Sequence, residues 1–153
     1  MPCIWGTHNK SQIFVTVAIL PTSWVNGGTV IVPPGSSVQL FQSLLDTGAT
    51  STAISSKVAT SVGLKPLGKM RVFGVSGSQQ HNYYTFHVGF VVGNLTPVPN
   101  QQAAQGRIDV FADPIQGAEL ALGQGGFEVL LGMDVIGKGS LSVEGSGTFS
   151  FSF

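Results

Sequence analysis

The chain has 153 residues, enough for one compact domain that buries roughly two-thirds of the surface its unfolded form exposes, and too few for two. Seven basic and seven acidic side chains cancel, so no excess of positive charge is left to neutralise nucleic-acid phosphates or hold an anionic membrane. Only 9% of residues are charged while 42% are hydrophobic and 21 are glycine, which excludes a disordered chain and points to short strands joined by tight turns.

Cys3 is the single cysteine, so no disulfide forms within the chain, and a free thiol near the terminus is expected. The apolar stretch 13–20 follows Lys10 but is β-branched and lacks an A-x-A-like cleavage site, so it reads as a strand within QIFVTVAI rather than as a secretory leader. It is also far shorter than the roughly 20 apolar residues of a membrane-spanning helix, and a cytoplasmic location is the expectation. Further strands are expected in GTVIV (28–32), SVQLFQSLL (37–45), KMRVFGV (69–75), NYYTFHVGFVV (82–92), EVLLG (128–132) and GTFSFSF (147–153). All are rich in β-branched and aromatic residues. Two short helices are expected: 55–62, which ends at Gly63, and 133–136, which follows Gly132. The polar segment 93–106 has two prolines and no period, and is expected to be a long surface loop. The class is mostly β, a single domain in which residues 1–36 form N-terminal strands beside a main body at 37–153.

The informative stretch is Leu44-Leu45-Asp46-Thr47-Gly48-Ala49-Thr50-Ser51-Thr52, an apolar strand that runs straight into a carboxylate. A buried carboxylate is costly unless paired or hydrogen-bonded, so an aspartate at that point asks for a compensating role. Gly48 lets the chain turn sharply with its backbone close to the carboxylate, and the Thr47 hydroxyl is placed to hydrogen-bond across an interface. Asp-Thr-Gly by itself is equally an ordinary surface turn. Downstream, Glu128 to Ile136 repeats the pattern of apolar strand, glycine and short helix, and Val72-Phe73-Gly74-Val75-Ser76-Gly77-Ser78 reads as a hairpin with a glycine-rich tip.

These three segments in this order resemble the retropepsin-like aspartic proteases: an LLDTGA active-site turn, a flap hairpin at about 70–92, and a hydrophobic-hydrophobic-Gly strand leading into a C-terminal helix. The resemblance covers residues 37–153 and implies a closed β-barrel of the acid-protease type with one or two short helices. Because one Asp-Thr-Gly occurs in a chain this short, it also implies a homodimer in which each copy supplies Asp46 across a two-fold axis. Two unit charges about 3 Å apart, at an effective dielectric of about 20, repel by roughly 5–6 kcal/mol, or about 4 pKa units, so such a pair holds one proton. The charged member then activates a water and the protonated member donates to the scissile carbonyl. By the same resemblance, Thr47 and Gly48 support the dyad. Ala49 contacts an extended peptide from below, and Phe73, Gly74, Val75, Ser76 and Gly77 cover it from above. Ala49, Val75 and Leu130 are expected pocket walls, and the terminal FSFSF strand is expected to pair with the partner chain.

Where many retroviral members carry acidic residues after DTGA and an arginine after the C-terminal glycine, this chain has Thr50, Ser51 and Met133. Asp134 is expected to serve the start of its helix rather than catalysis. His81 and His87 share a strand face without a Cys or acidic cluster, and Gly123-Gln124-Gly125-Gly126 lacks the lysine of a phosphate loop, so no metal or cofactor is expected. Two competing readings are a catalytically silent dimerisation or peptide-binding module, and a monomeric β-sandwich with an exposed Asp46.

Overall fold

The computed structural model describes residues 1–92 and 107–153. The strands in chain order are β1 (Cys3–Thr7), β2 (Ile13–Pro21), β3 (Val25–Asn26), β4 (Thr29–Val30), β5 (Leu40–Leu45) and β6 (Ala53–Ile54). Helix α1 (Ser56–Val62) follows, then β7 (Gly68–Gly74), β8 (Gly77–Val92), β9 (Arg107–Val110), β10 (Ile115–Glu119) and β11 (Val129–Leu131). Helix α2 (Met133–Ile136), β12 (Ser140–Val143) and β13 (Thr148–Ser152) complete the chain. The expected mostly-β class and both short helices are present. The segment 93–106, expected as a loop, lies outside the described residues.

β2 and β8 carry the apolar runs that are buried on both faces, which is why they sit centrally. In β2, Val17, Ala18, Ile19 and Leu20 are all buried, and in β8 so are Phe86, Val88 and Phe90. Hydrogen-bonded pairing runs β10-β6-β11-β5-β2-β8-β7, and β10 also pairs with β8, so the path returns on itself. Because β2 lies between β5 and β8, the N-terminal segment builds the centre of the sheet.

A second sheet, β1-β13-β12, packs on the first through aromatic rings. Alternation in β13 buries Phe149 and Phe151. The Phe90 ring centroid lies 5.5 Å from that of Phe151 and 4.7 Å from that of Phe153, within the range where aromatic pairs attract. The expectation that FSFSF pairs with a partner chain is corrected here: β1 and β12 of the same chain occupy both edges of β13. Cys3 is correspondingly part of a paired strand, although its thiol is exposed.

Local signals account for the short elements. Ser55 caps α1, its hydroxyl accepting from Val58 N at 3.2 Å, and Gly63 ends the helix in the left-handed conformation at φ 77°. The expected GTVIV strand is ordered only at Thr29–Val30, because the chain turns back on Val25–Asn26 through Gly27 and Gly28 and then meets Pro33 and Pro34. The two-residue strands β3 and β6 were not among the expected segments, nor were β1, β9, β10 and β12. The last four are the longer ones. Each is four or five residues long and, apart from β9, holds a single β-branched aliphatic or none, so the signal is weak.

On β8, His87 Nδ1 lies 2.9 Å from the Phe111 carbonyl, which can only accept, so that nitrogen carries the proton. The buried Tyr84 hydroxyl donates to Glu119. Burial, and then this bond and the Glu119 charge, push its pKa from 10.0 up to about 12. The folded state therefore favours the protonated phenol: the contribution is full below pH 10 and is lost as pH rises through about 12. Urea midpoints followed by circular dichroism are expected to fall across that window, and less steeply in Tyr84→Phe.

Candidate active site

Asp46 follows the last residue of β5, where the sheet positions it directly. β11 lies between β5, to which it is parallel, and β6, to which it is antiparallel, and Asp46 N donates to Leu131 O at 2.9 Å. The chain then turns. Gly48 N donates to Asp46 Oδ1 at 2.9 Å and Ala49 N to Asp46 O at 3.2 Å, so one carboxylate oxygen is held by the backbone and the other side of the group stays accessible. Asp46 is half-buried. Gly48 does not take a left-handed φ, and a Cβ there would stand 3.2 Å from Asp46 Oδ1, a tight contact that the carboxylate could relieve only by shifting a few tenths of an ångström. Thr47 is exposed, and its hydroxyl makes no hydrogen bond among the described residues.

The rest of the turn is fastened to α2. Ala49 O accepts from Met133 N at 2.8 Å and Thr50 O from Asp134 N at 3.2 Å. Asp134 accepts from Thr52 N at 3.0 Å and from Thr52 Oγ1 at 2.7 Å, and Thr52 Oγ1 in turn accepts from Gly132 N at 3.1 Å. Asp134 thus has a structural role, as expected, but its carboxylate serves the amide of a loop 82 residues away rather than its own helix. Removing it as Asp134→Ala leaves the Thr52 amide and hydroxyl unmatched, and should cost about 1–3 kcal/mol by urea denaturation. Asp134→Asn should lose less, since the remaining oxygen still accepts.

Opposite the turn stands the expected hairpin, β7 against β8, with Val75 and Ser76 at its tip. Gly77 takes φ 112°, which a side chain would oppose. Between hairpin and turn lies a cavity of about 600 Å³ lined by Gly48, Ala49, Thr52, Ala53, Met70–Gly74, Ala118, Leu120 and Leu130 among others. Of the residues expected around the substrate, Ala49, Phe73, Gly74 and Leu130 line it. Val75, Ser76 and Gly77 lie beyond it at the exposed tip, where Val75 is fully exposed among the described residues. Sequence reasoning did not find Met70, Arg71, Ala118 and Leu120 as lining residues. The alternation of β7 could have nominated Met70, whereas Leu120 reaches the cavity only because β10 pairs with β6.

Similarity to known proteins fits this geometry. A family model described as aspartyl protease matches residues 25–135. No curated protein matches the chain. A crystal structure of a retropepsin-like aspartic protease from Rickettsia conorii is similar in fold, with a TM-score of 0.54 and 16% identity, over 97% of this chain and 89% of that one. The chain belongs to the aspartyl protease family and has a retropepsin-like fold.

Proposed function

We propose that this protein is an aspartic endopeptidase that works as a homodimer, with the Asp46 carboxylates of two chains sharing one proton. The observation that carries the reading is the position of Asp46: a carboxylate pinned on one oxygen by Gly48 N, beside a cavity roofed by a hairpin, in a chain that holds a single Asp-Thr-Gly. A Thr47 hydroxyl without a partner among the described residues, and exposed Phe73 and Val75, support a second copy at this face. The returning path of strand pairings supports the closed-barrel reading.

In the reaction, the charged carboxylate takes a proton from water as its oxygen attacks the peptide carbonyl, and the protonated carboxylate donates to the carbonyl oxygen. The tetrahedral intermediate then breaks its C–N bond as the amine nitrogen is protonated. The two residues titrate as one unit and exchange roles. An extended peptide lying between the β7 hairpin and the 46–50 turn is held by main-chain hydrogen bonds, with Thr47 and Gly48 supporting the dyad and Ala49 and the 73–77 hairpin contacting substrate.

A silent peptide-binding module of the same fold is the competing reading, and it leaves the retained Asp46, Thr47 and Gly48 without a purpose. The test is cleavage of an unstructured protein such as casein from pH 3 to 8, with and without a statine-type transition-state mimic. Cleavage that the mimic abolishes supports the enzyme. A folded, dimeric and inert protein supports the module.

A further inference from the structure

We infer that Arg71 reads a carboxylate on the substrate, so that the cleft favours a peptide with an acidic side chain close to an apolar one; this rests on the peptidase reading above. Among the described residues, Arg71 is the one formally charged residue lining the cavity, whose other walls include Met70, Val72, Phe73, Leu120 and Leu130. Its guanidinium has no ion-pair or hydrogen-bond partner among the described residues, where the two ion pairs are Lys57 with Glu128 and Arg107 with Asp109. Of the acidic groups within two residues of these cavity walls, Glu119 accepts from Tyr84, Glu128 accepts from Ser55 and pairs with Lys57, and Asp46 is held on one oxygen by Gly48 N.

From Thr47 to Ile108 the chain contains no acidic residue, while Lys57, Lys65, Lys69, Arg71 and Arg107 fall in that stretch, Lys57 and Arg107 in ion pairs. Lys69 and Arg71 stand two apart on β7, opposite the neutral Asn82 and Gln80 of β8. Arg71 is exposed and lines a largely apolar cavity, where its guanidinium presents planar paired donors that match a carboxylate. Apolar walls fill one pocket and Arg71 selects the charge beside it.

The experiment uses peptides that share one apolar residue and carry Glu, Gln or Lys in turn at each of the neighbouring positions. In the full-length protein, kcat/KM for the best Glu peptide is expected to exceed that of its Gln counterpart by about threefold to tenfold at low salt, with less preference at high salt. Arg71→Gln should abolish that ratio, and Arg71→Glu should turn the preference towards Lys. The same peptides are titrated by fluorescence anisotropy against Asp46→Asn protein, which reads recognition without chemistry. Glu-selective binding that Arg71→Gln removes, in a protein that cleaves nothing, overturns the peptidase and keeps the recognition. Cleavage or binding without Glu preference, an unchanged ratio in Arg71→Gln, or no peptide binding at all overturns the role of Arg71.

Discussion

Replacing Asp46 with Asn is expected to lower peptidase activity at least roughly a thousandfold without unfolding the protein, because in a homodimer one substitution removes both the base and the acid. The amide is nearly isosteric, and its oxygen can still accept from Gly48 N, so the turn keeps its shape. Urea midpoints of the two proteins should agree closely. The same variant tests the dimer arithmetically. When wild-type and Asp46→Asn chains are mixed in equal amounts and allowed to exchange, random pairing leaves about a quarter of the dimers with two aspartates. Activity at fixed total protein then falls to about a quarter of the wild-type value, whereas protomers that act singly retain about a half. A value near a half sinks the shared dyad even where cleavage is real.

Gly132→Ala should be the most damaging single-methyl change near the site. The residue joins β11 to α2 and is buried, and a Cβ there would stand 2.5 Å from Ser51 C, 2.7 Å from its O and 2.8 Å from its N. All three are backbone atoms, so no side chain can swing aside. The Ser51–Thr52 segment is also tied down by Asp134, which leaves movement of the whole 46–52 turn as the relief. Overpacking of this kind costs about 1–3 kcal/mol, and displacing Asp46 by even about 1 Å should reduce activity about a hundredfold in protein that is still folded. Gly145→Ala is the matched control: it has open space around it and no left-handed φ, and should change neither quantity. A Gly132→Ala protein with wild-type midpoint and activity would mean that β11 does not pass against Ser51.

Local chemistry made much of this protein legible from its residues. Runs with period two or with both faces apolar marked β2, β5, β8 and β13, since a strand's burial is decided by its own side chains. Ser55 and Gly63 bracketed α1, because caps act within one turn of helix. Asp46-Thr47-Gly48 after Leu44-Leu45 marked the candidate site, because a carboxylate that ends an apolar strand needs a partner or a role.

Tertiary structure alone decided which strands meet. Residues 148–152 alternate equally well as the edge of a dimer or the centre of a sheet, and only the positions of β1 and β12 place them at the centre. Nothing within Val129–Leu131 says that it lies parallel to β5, yet that pairing holds Asp46 N on Leu131 O and brings Gly132 against Ser51. Asp134 carries no local sign of its partner Thr52, and Arg71 and Leu120 share a cavity wall although 49 positions separate them. Propensity, capping and alternation act over a few residues and are written in order along the chain. Pairing partners and cavity walls depend on which faces and edges are left to be satisfied once every other element has docked, and that is a property of the whole fold.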